Sequence, residues 1–398
     1  MSIASPAQTA GSDRQDPITG AAGRIRSQVA GQPFETTMDG PHLTVTPLDG
    51  APASTWMLEA GTPLPSLQSR DGLGTGVAAL ADRHLPAALE ALFALRPGLP
   101  SVVLGDTLPA DAALITAGIA LPTLQSLTTG RSGSSSTIDR SGQPPALAPA
   151  SITVSRELFW QWDRLWLADR REPAPIQQVF SKDGRRHPRR PAKPTGTVYR
   201  RHIPWLDKTF SLRALDVERD LATVNRWMNE PAVAHFWQET GDLAHHRRYL
   251  SGIAADPHTL GLIGCFDDQP FSYFEAYWAK EDRIAPFYDA ADHDRGWHVL
   301  VGEPALRGRE FLTAWMPGIS HYLFLDDCRT QRIVIEPRID NRRMVHSLNR
   351  CGYASLKEIQ FPHKRAVLGL LMRERFFDDA LWIPRGDSPF DLPAVPQS

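Results

Sequence analysis

The stretch Arg295-Gly-Trp-His-Val-Leu-Val-Gly-Glu303, continued by Leu306-Arg-Gly-Arg309, decides the fold. Trp297 to Val301 is a short apolar run with a histidine set into it, which reads as a buried strand. A proline and glycine break follows. Then Phe311, Leu312, Trp315, Ile319, Tyr322 and Leu323 recur at helical spacing. Strand, basic glycine turn and helix together aim backbone N–H groups and a helix N-terminus at a phosphate. Beyond the helix, Arg332-Ile-Val-Ile-Glu336 reads as a second buried strand. The unit is therefore β-α-β with a parallel pair, and His298 and Glu336 stand on neighbouring strands.

Upstream of this unit, Phe210-Ser-Leu-Arg213 reads as a strand, Asp216 to Met228 as a helix ended by Pro231, and His245 to Ile253 as another helix. Gly261 to Phe266 and Phe271 to Trp278 form a hairpin turned at Asp267-Asp-Gln-Pro270. Downstream, Asn341 to Cys351 is a helix with Gly352 at its C′ position, and Lys357–Phe361 and Leu368–Met372 supply the last strands.

The first half mixes α and β in a layered order. His42 to Leu48 alternates like a strand, with Ser54 to Glu59 as its neighbour. Gly76 to Leu95 is helical in spacing, Ser101-Val-Val-Leu104 a short strand, and Ala110 to Ala120 a further helix. Gly, Ser and Pro concentrate between Thr128 and Pro149, which reads as a mobile loop. Gly72-Leu-Gly-Thr-Gly76 follows no convincing strand and carries no phosphate-loop lysine, so a flexible loop is the expectation there. Phe159, Trp160, Trp162 and Trp166 read as core or domain interface.

A chain of 398 residues is long for one domain. The expected order is a disordered leader over 1–33, an α/β accessory domain over 34–180, a basic proline-rich linker over 181–204, the domain of the central unit over 205–385, and a tail over 386–398. The linker's Arg185, Arg186, Arg189 and Arg190 lack the structured aromatic neighbours of a nucleic-acid surface. Net charge is -2, so general attraction to nucleic acid or membrane is not expected. The three cysteines are widely spaced and form no C-x-x-C pair, which suits a reducing compartment. The N-terminus has no signal-peptide pattern, and no apolar run nears the ~20 residues that span a bilayer. A cytoplasmic location is the expectation.

Between about Thr209 and Phe377 the chain resembles a GNAT-type N-acetyltransferase domain. More narrowly, it resembles the siderophore-biosynthesis branch: the aerobactin-type N6-hydroxylysine acetyltransferases and the alcaligin, rhizobactin and mycobactin acyltransferases. The matching residues are Asn229-Glu-Pro231 with His235-Phe-Trp237, Ile263 to Asp267, Pro270 to Trp278 with Glu281-Asp-Arg283, and Arg295 to His298. His321 to Asp327, Arg329 to Arg332, Glu336-Pro-Arg338 and Phe361 to Arg365 continue them. The family's phosphate loop has two glycines. Here Gly308 stands alone, with Glu310 where the later small residue is expected. The resemblance implies an α/β (α+β) GNAT fold around a central mixed sheet, preceded by a smaller α/β domain that is a degenerate GNAT-like half. It also implies acetyl-CoA as co-substrate, no metal, a homodimer, and pathway partners in a hydroxylysine monooxygenase and a siderophore synthetase.

Acyl transfer from a thioester to an amine-type nitrogen needs a proton acceptor, a stabilised carbonyl oxygen and aligned reactants. The resemblance gives His298 and Glu336 the catalytic positions. Glutamate stands where the relatives usually have aspartate, and a histidine near its ordinary pKa of ~6.5 would take the proton. Backbone N–H groups among Val299 to Gly302, Val301 included, are the oxyanion candidates. Arg307, Gly308 and Arg309 are the expected pyrophosphate clamp, and Asn341 either faces the pantetheine arm or only caps its helix. Trp237, Tyr273, Glu275, Tyr277, Trp278 and Asp282 are the acceptor candidates, with His363, Lys364 and Arg365 as further acceptor or carboxylate-binding residues. His245, His246, His321 and His346 show no metal-ligand grouping in the sequence. The expected reaction is acetylation of the hydroxylamine nitrogen of N6-hydroxylysine by direct transfer. Hydroxyornithine or a hydroxylated cadaverine or putrescine as acceptor, and succinyl- or longer acyl-CoA as donor, are the alternatives. A catalytically inactive GNAT-fold scaffold is the alternative of another class.

Overall fold

Two eight-stranded sheets carry the chain in this computed structural model, which describes residues 23–61, 64–70, 78–104, 114, 118–123, 151–168, 176–181 and 184–384. The first sheet holds β1 (Gly23–Val29), β2 (Gln32–Asp39), β3 (His42–Pro47), β4 (Ser54–Glu59) and β5 (Ser66–Ser69). Helix α1 (Ala78–Leu95) then leads to β6 (Ser101–Leu104), β7 (Ala120–Thr123) and β8 (Ser151–Ser155), and α2 (Arg156–Trp160) follows. A short hairpin of β9 (Gln178–Phe180) and β10 (Arg186–Pro188) precedes the second half.

The second sheet begins with β11 (Thr197–Ile203) and β12 (Lys208–Ala214). Three helices intervene: α3 (Val217–Met228), α4 (Pro231–Trp237) and α5 (Leu243–Ala255). Then come β13 (Thr259–Phe266), β14 (Gln269–Trp278), β15 (Arg295–Val301), α6 (Arg309–Asp326) and β16 (Arg332–Ile335). Helix α7 (Arg342–Arg350), β17 (Ala354–Gln360), β18 (Arg365–Met372) and α8 (Arg373–Asp378) complete it.

The two sheets share one strand order. The first runs β1-β2-β3-β4-β5-β6-β8-β7 and the second β11-β12-β13-β14-β15-β16-β18-β17. In each, the fifth and sixth strands are parallel with a helix between them, and every other pair is antiparallel. The expected degenerate half is therefore present in topology. It lacks the three helices that follow the second strand, since β2 turns directly into β3. Its β5, Ser66-Leu-Gln-Ser69, carries a serine at the position where β15 carries His298.

One apolar core runs through both halves. Trp160 and Trp166 stack with centroids 4.5 Å apart, and Trp382 packs on Trp160 at 4.9 Å. His321 of α6 is buried here, bonded through Nδ1 to the Tyr199 hydroxyl (3.0 Å) and through Nε2 to the Trp160 carbonyl (2.7 Å). Burial pushes its pKa down to about 3, so it is a neutral packing residue. The indole of Trp166 donates to Glu90 of α1 at 3.2 Å, and burial raises that carboxyl to about 7. The aromatic segment after β8 thus seals one half against the other.

Three expected boundaries change. Residues 23–33 form β1, the turn after it and the start of β2, not a leader, because Ile25, Ser27 and Val29 alternate inward although one of them is polar. The 181–204 segment is not an exposed linker, and the second domain starts before 205, because β11 is the edge strand of its sheet. Arg190 is buried against Glu281 at 2.6 and 2.7 Å, and Arg185 donates to the carbonyls of Glu281 and Asp282. Basic side chains there answer buried acceptors of the same chain, which composition does not reveal. The expected tail, the Gly72–Gly76 loop, the Thr128–Pro149 loop and most of the 110–120 helix lie outside the described residues.

Candidate active site

Strand β15 is paired along its full length with β14 but touches β16 in register only at Arg295↔Ile333. The sheet splits beyond that point. His298 lies three residues past the last paired position on β15, and Glu336 three past it, just after β16. Both therefore face the opening of the gap. His298 Nε2 meets Glu336 Oε1 at 2.8 Å, and its Nδ1 approaches Glu275 Oε2, directly across on β14, at 3.4 Å.

Each carboxylate is itself held. Glu336 accepts from the Tyr277 hydroxyl (2.8 Å), from Arg283 (3.2 Å) and from Lys364 (3.4 Å). Glu275 accepts from the hydroxyls of Tyr249 and Tyr273, the latter at 3.1 Å. Tyr273, Glu275 and Tyr277 share one face because side chains alternate along β14. Burial disfavours a charged imidazole, but Glu336 and Glu275 outweigh it and raise His298 to about 9. Burial likewise works against the Glu336 charge, and His298, Lys364 and Arg283 overcome it and hold the carboxyl well below its ordinary range. At neutral pH the pair is thus imidazolium and carboxylate, which corrects the expected histidine near its ordinary pKa.

The backbone at the gap supplies donors. Gly302 N–H bonds the Phe271 carbonyl at 2.8 Å, and Ala279 N–H bonds Asp294 at 2.9 Å. In an antiparallel ladder bonded and non-bonded pairs alternate. His298 and Leu300 therefore point their N–H groups at β14, while Val299 and Val301 point theirs into the gap. Gly302, expected as an oxyanion donor, is engaged in the sheet.

Two cavities meet here. One of about 430 Å³ is lined by His298, Glu336, Glu275, Tyr277, Asp282 and Trp237, among others. The second, about 950 Å³, lies along α6 and α7, between Val301, Arg309, Trp315, Arg343 and Cys351. Asn341 and Met344 line both. Helix α6 opens at Gly308 with no side-chain cap, and Arg309, Glu310, Leu312 and Thr313 of its first turns line the second cavity. The arrangement is a small acidic and aromatic well joined to a long cleft at a strand gap.

The sequence profile of the acetyltransferase (GNAT) domain matches residues 216–361. A protein of Schizosaccharomyces pombe assigned as a lysine N-acyltransferase is 43% identical over 228 residues, covering 57% of this chain and 68% of its own. The N(6)-hydroxylysine O-acetyltransferase of Escherichia coli is 42% identical over 230 residues, 58% of this chain and 73% of that protein. The chain belongs to the GNAT acyltransferase family. A third relative, the N(5)-hydroxyornithine:cis-anhydromevalonyl coenzyme A-N(5)-transacylase of Beauveria bassiana, is 45% identical over 195 residues, 48% of this chain and 43% of that one.

As a GNAT acyltransferase, the protein takes acyl-CoA as donor. Arg309 lines the second cavity, and Gly308 precedes it as the N-cap of α6. Arg307 lines the cleft too, but its guanidinium is bonded to Glu230 (2.9 Å) and to the carbonyls of Val301 (3.0 Å) and Gly302 (3.3 Å). It braces the turn. Asn341 caps α7 by accepting from Met344 N–H at 3.2 Å while lining both cavities. Trp278 is misassigned as an acceptor residue, since it alternates to the opposite face and lies between Arg190 and Arg295, each 4.1 Å from its ring. Of His363, Lys364 and Arg365, only Lys364 lines the well. Tyr249 and Arg283 were missed. Arg283 stands inside a quoted motif, whereas nothing in the sequence points Tyr249 of α5 at Glu275. Away from the site, His187, His258 and Glu281 place ligand atoms within 4.8 Å of one another, but Arg190 already holds both Glu281 oxygens.

Proposed function

We propose that the protein transfers the acetyl group of acetyl-CoA to the hydroxylamine nitrogen of N6-hydroxylysine, forming a hydroxamate for a siderophore. The observation that carries this reading is His298 held between Glu275 and Glu336 at the strand gap, where the acidic well joins the donor cleft. In the reaction a C–N bond forms, the C–S bond breaks, and the N–H proton ends on the thiol. The carbonyl oxygen is served by Val299 or Val301 N–H. A hydroxylamine N–OH bonded to Glu336 takes up part of the field that keeps His298 charged, so the ring's pKa falls, it releases its proton to solvent, and the neutral ring then receives the N–H proton and hands it to the leaving thiolate. Transfer is direct: Cys351 lines the cleft, but burial pushes its thiol up to about 12, far from thiolate at neutral pH. The hydroxylated amine must come from an N-monooxygenase and the hydroxamate go to a synthetase. Homodimerisation and a cytoplasmic location belong to the same reading. Among the described residues, no helix is long and apolar enough to cross a membrane.

The test is thiol release from acetyl-CoA with N6-hydroxylysine, with lysine as control, and product analysis by mass and by ferric colour. An N-acyl hydroxamate binds iron(III) as a bidentate ligand, and an O-acyl isomer does not. Thiol release without ferric colour would move acylation to oxygen, and no release with hydroxylysine would overturn the reading.

A further inference from the structure

We propose that Arg283 and Lys364 form a subsite for a carboxylate at the far end of the acceptor, so that the enzyme takes an N-hydroxylated amino acid in preference to an N-hydroxylated diamine. The inference rests on the functional reading above. A single buried carboxylate oxygen, Glu336 Oε1, receives His298 at 2.8 Å, Arg283 at 3.2 Å and Lys364 at 3.4 Å. Arg283 also stands 3.5 Å from His298 Nε2. Three cationic groups converge on one oxygen, with Glu275 on the other side of His298 and Asp282 acting on Arg283 as well, so what Arg283 and Lys364 offer an incoming anion is a set of N–H donors.

The donors for it are present. A guanidinium has five N–H groups and an ammonium three. Arg283 donates to Glu336, and its side chain remains 48% exposed while lining the well, so part of the guanidinium fork is open to an incoming group. Lys364 is held in place by the Glu336 carbonyl at 2.8 Å and packs with Arg283 over the Phe361 ring. The two cations therefore come as a fixed pair from separate elements, the turn after β14 and the turn before β18.

The well's charges balance around this pair. Its walls carry His298, Arg283, Arg338 and Lys364 against Glu239, Glu275, Asp282 and Glu336. A free-standing cation such as a hydroxylated diamine would leave Arg283 and Lys364 facing its ammonium end or bare alkyl. An α-amino acid presents both signs, its carboxylate to Arg283 and Lys364 and its ammonium to Asp282, the next residue on the same turn.

The test compares N6-hydroxylysine with N-hydroxycadaverine, the same chain without the carboxylate, using acetyl-CoA as donor and the full-length protein. Wild-type kcat/KM should favour hydroxylysine by about 10-fold to 100-fold, the range of a charge-assisted contact, mostly through KM. In Arg283→Gln and Lys364→Gln the ratio of the two acceptors within each variant should fall toward one, whatever the absolute rate. Equal wild-type use of both acceptors would overturn the subsite while leaving the function standing. Ratios unchanged in both variants would overturn it too. No turnover of either acceptor would overturn the functional reading and the subsite with it.

Discussion

The charge state of His298 makes a quantitative prediction. The ring is raised from 6.5 to about 9, roughly 3 kcal/mol of preference for the charged form, against a burial effect of opposite sign. If neutral imidazole takes the proton, kcat/KM, which reports the free enzyme, should rise with pH to a limb near 9. The limb of kcat should lie lower, because the bound acceptor shares Glu336. Glu336→Gln keeps the shape of the side chain and removes its charge. Arg283 and Lys364 then push the ring the other way, against Glu275 and the weaker hold of Asp282. The kcat/KM limb should drop by more than one pH unit, toward the ordinary ~6.5. The assay is initial-rate thiol release between pH 5.5 and 10 with N6-hydroxylysine, alongside a thermal-melt check that the variant is folded. A limb that stays near 9 in the variant, or a wild-type profile flat from 6.5 to 9, would refute the assignment of the base to His298.

Further outcomes are expected. His298→Ala should lower kcat by about 10²–10⁴-fold with acetyl-CoA affinity nearly unchanged, and steady-state kinetics within threefold of wild type would remove the ring from the mechanism. Arg309→Ala should raise the acetyl-CoA KM about tenfold and leave the acceptor KM alone; a flat donor KM would place the phosphates elsewhere. Trp160→Ala should destabilise the fold by about 3–5 kcal/mol in chemical denaturation, since Trp160 packs against Trp166, His321 and Trp382 together, and a loss under 1 kcal/mol would mean that the halves do not depend on this seal. Wild-type stability should also carry a contribution from His298 that is full below pH 6.5 and lost as pH rises through about 9, visible as a Tm decline on that limb that His298→Gln lacks.

The central β-α-β unit was legible in the sequence because a strand, a glycine turn and an amphipathic helix are each written in local spacing. Most elements from Phe210 onward, the joint face of Tyr273, Glu275 and Tyr277, and the pairing of His298 with Glu336 follow from that local grammar and from the family resemblance, whereas α4, which Pro231 opens, and α8 do not. What local spacing does not carry is partner choice over distance. It left β1 hidden in an apparent leader, because a polar Ser27 occupies an inward position, and it read Arg185 and Arg190 as a solvated linker although Glu281, some ninety residues on, is their partner. It placed Trp278 in the well, although strand alternation turns that ring to the other face, between two arginines. The tertiary structure alone decided that Arg307 braces a turn, that Lys364 and Arg283 converge on Glu336, and that His298 is charged at neutral pH. A side chain's chemistry can be read from its identity, but its pKa and its partners depend on which charges the fold brings within a few ångströms and how much water it removes between them.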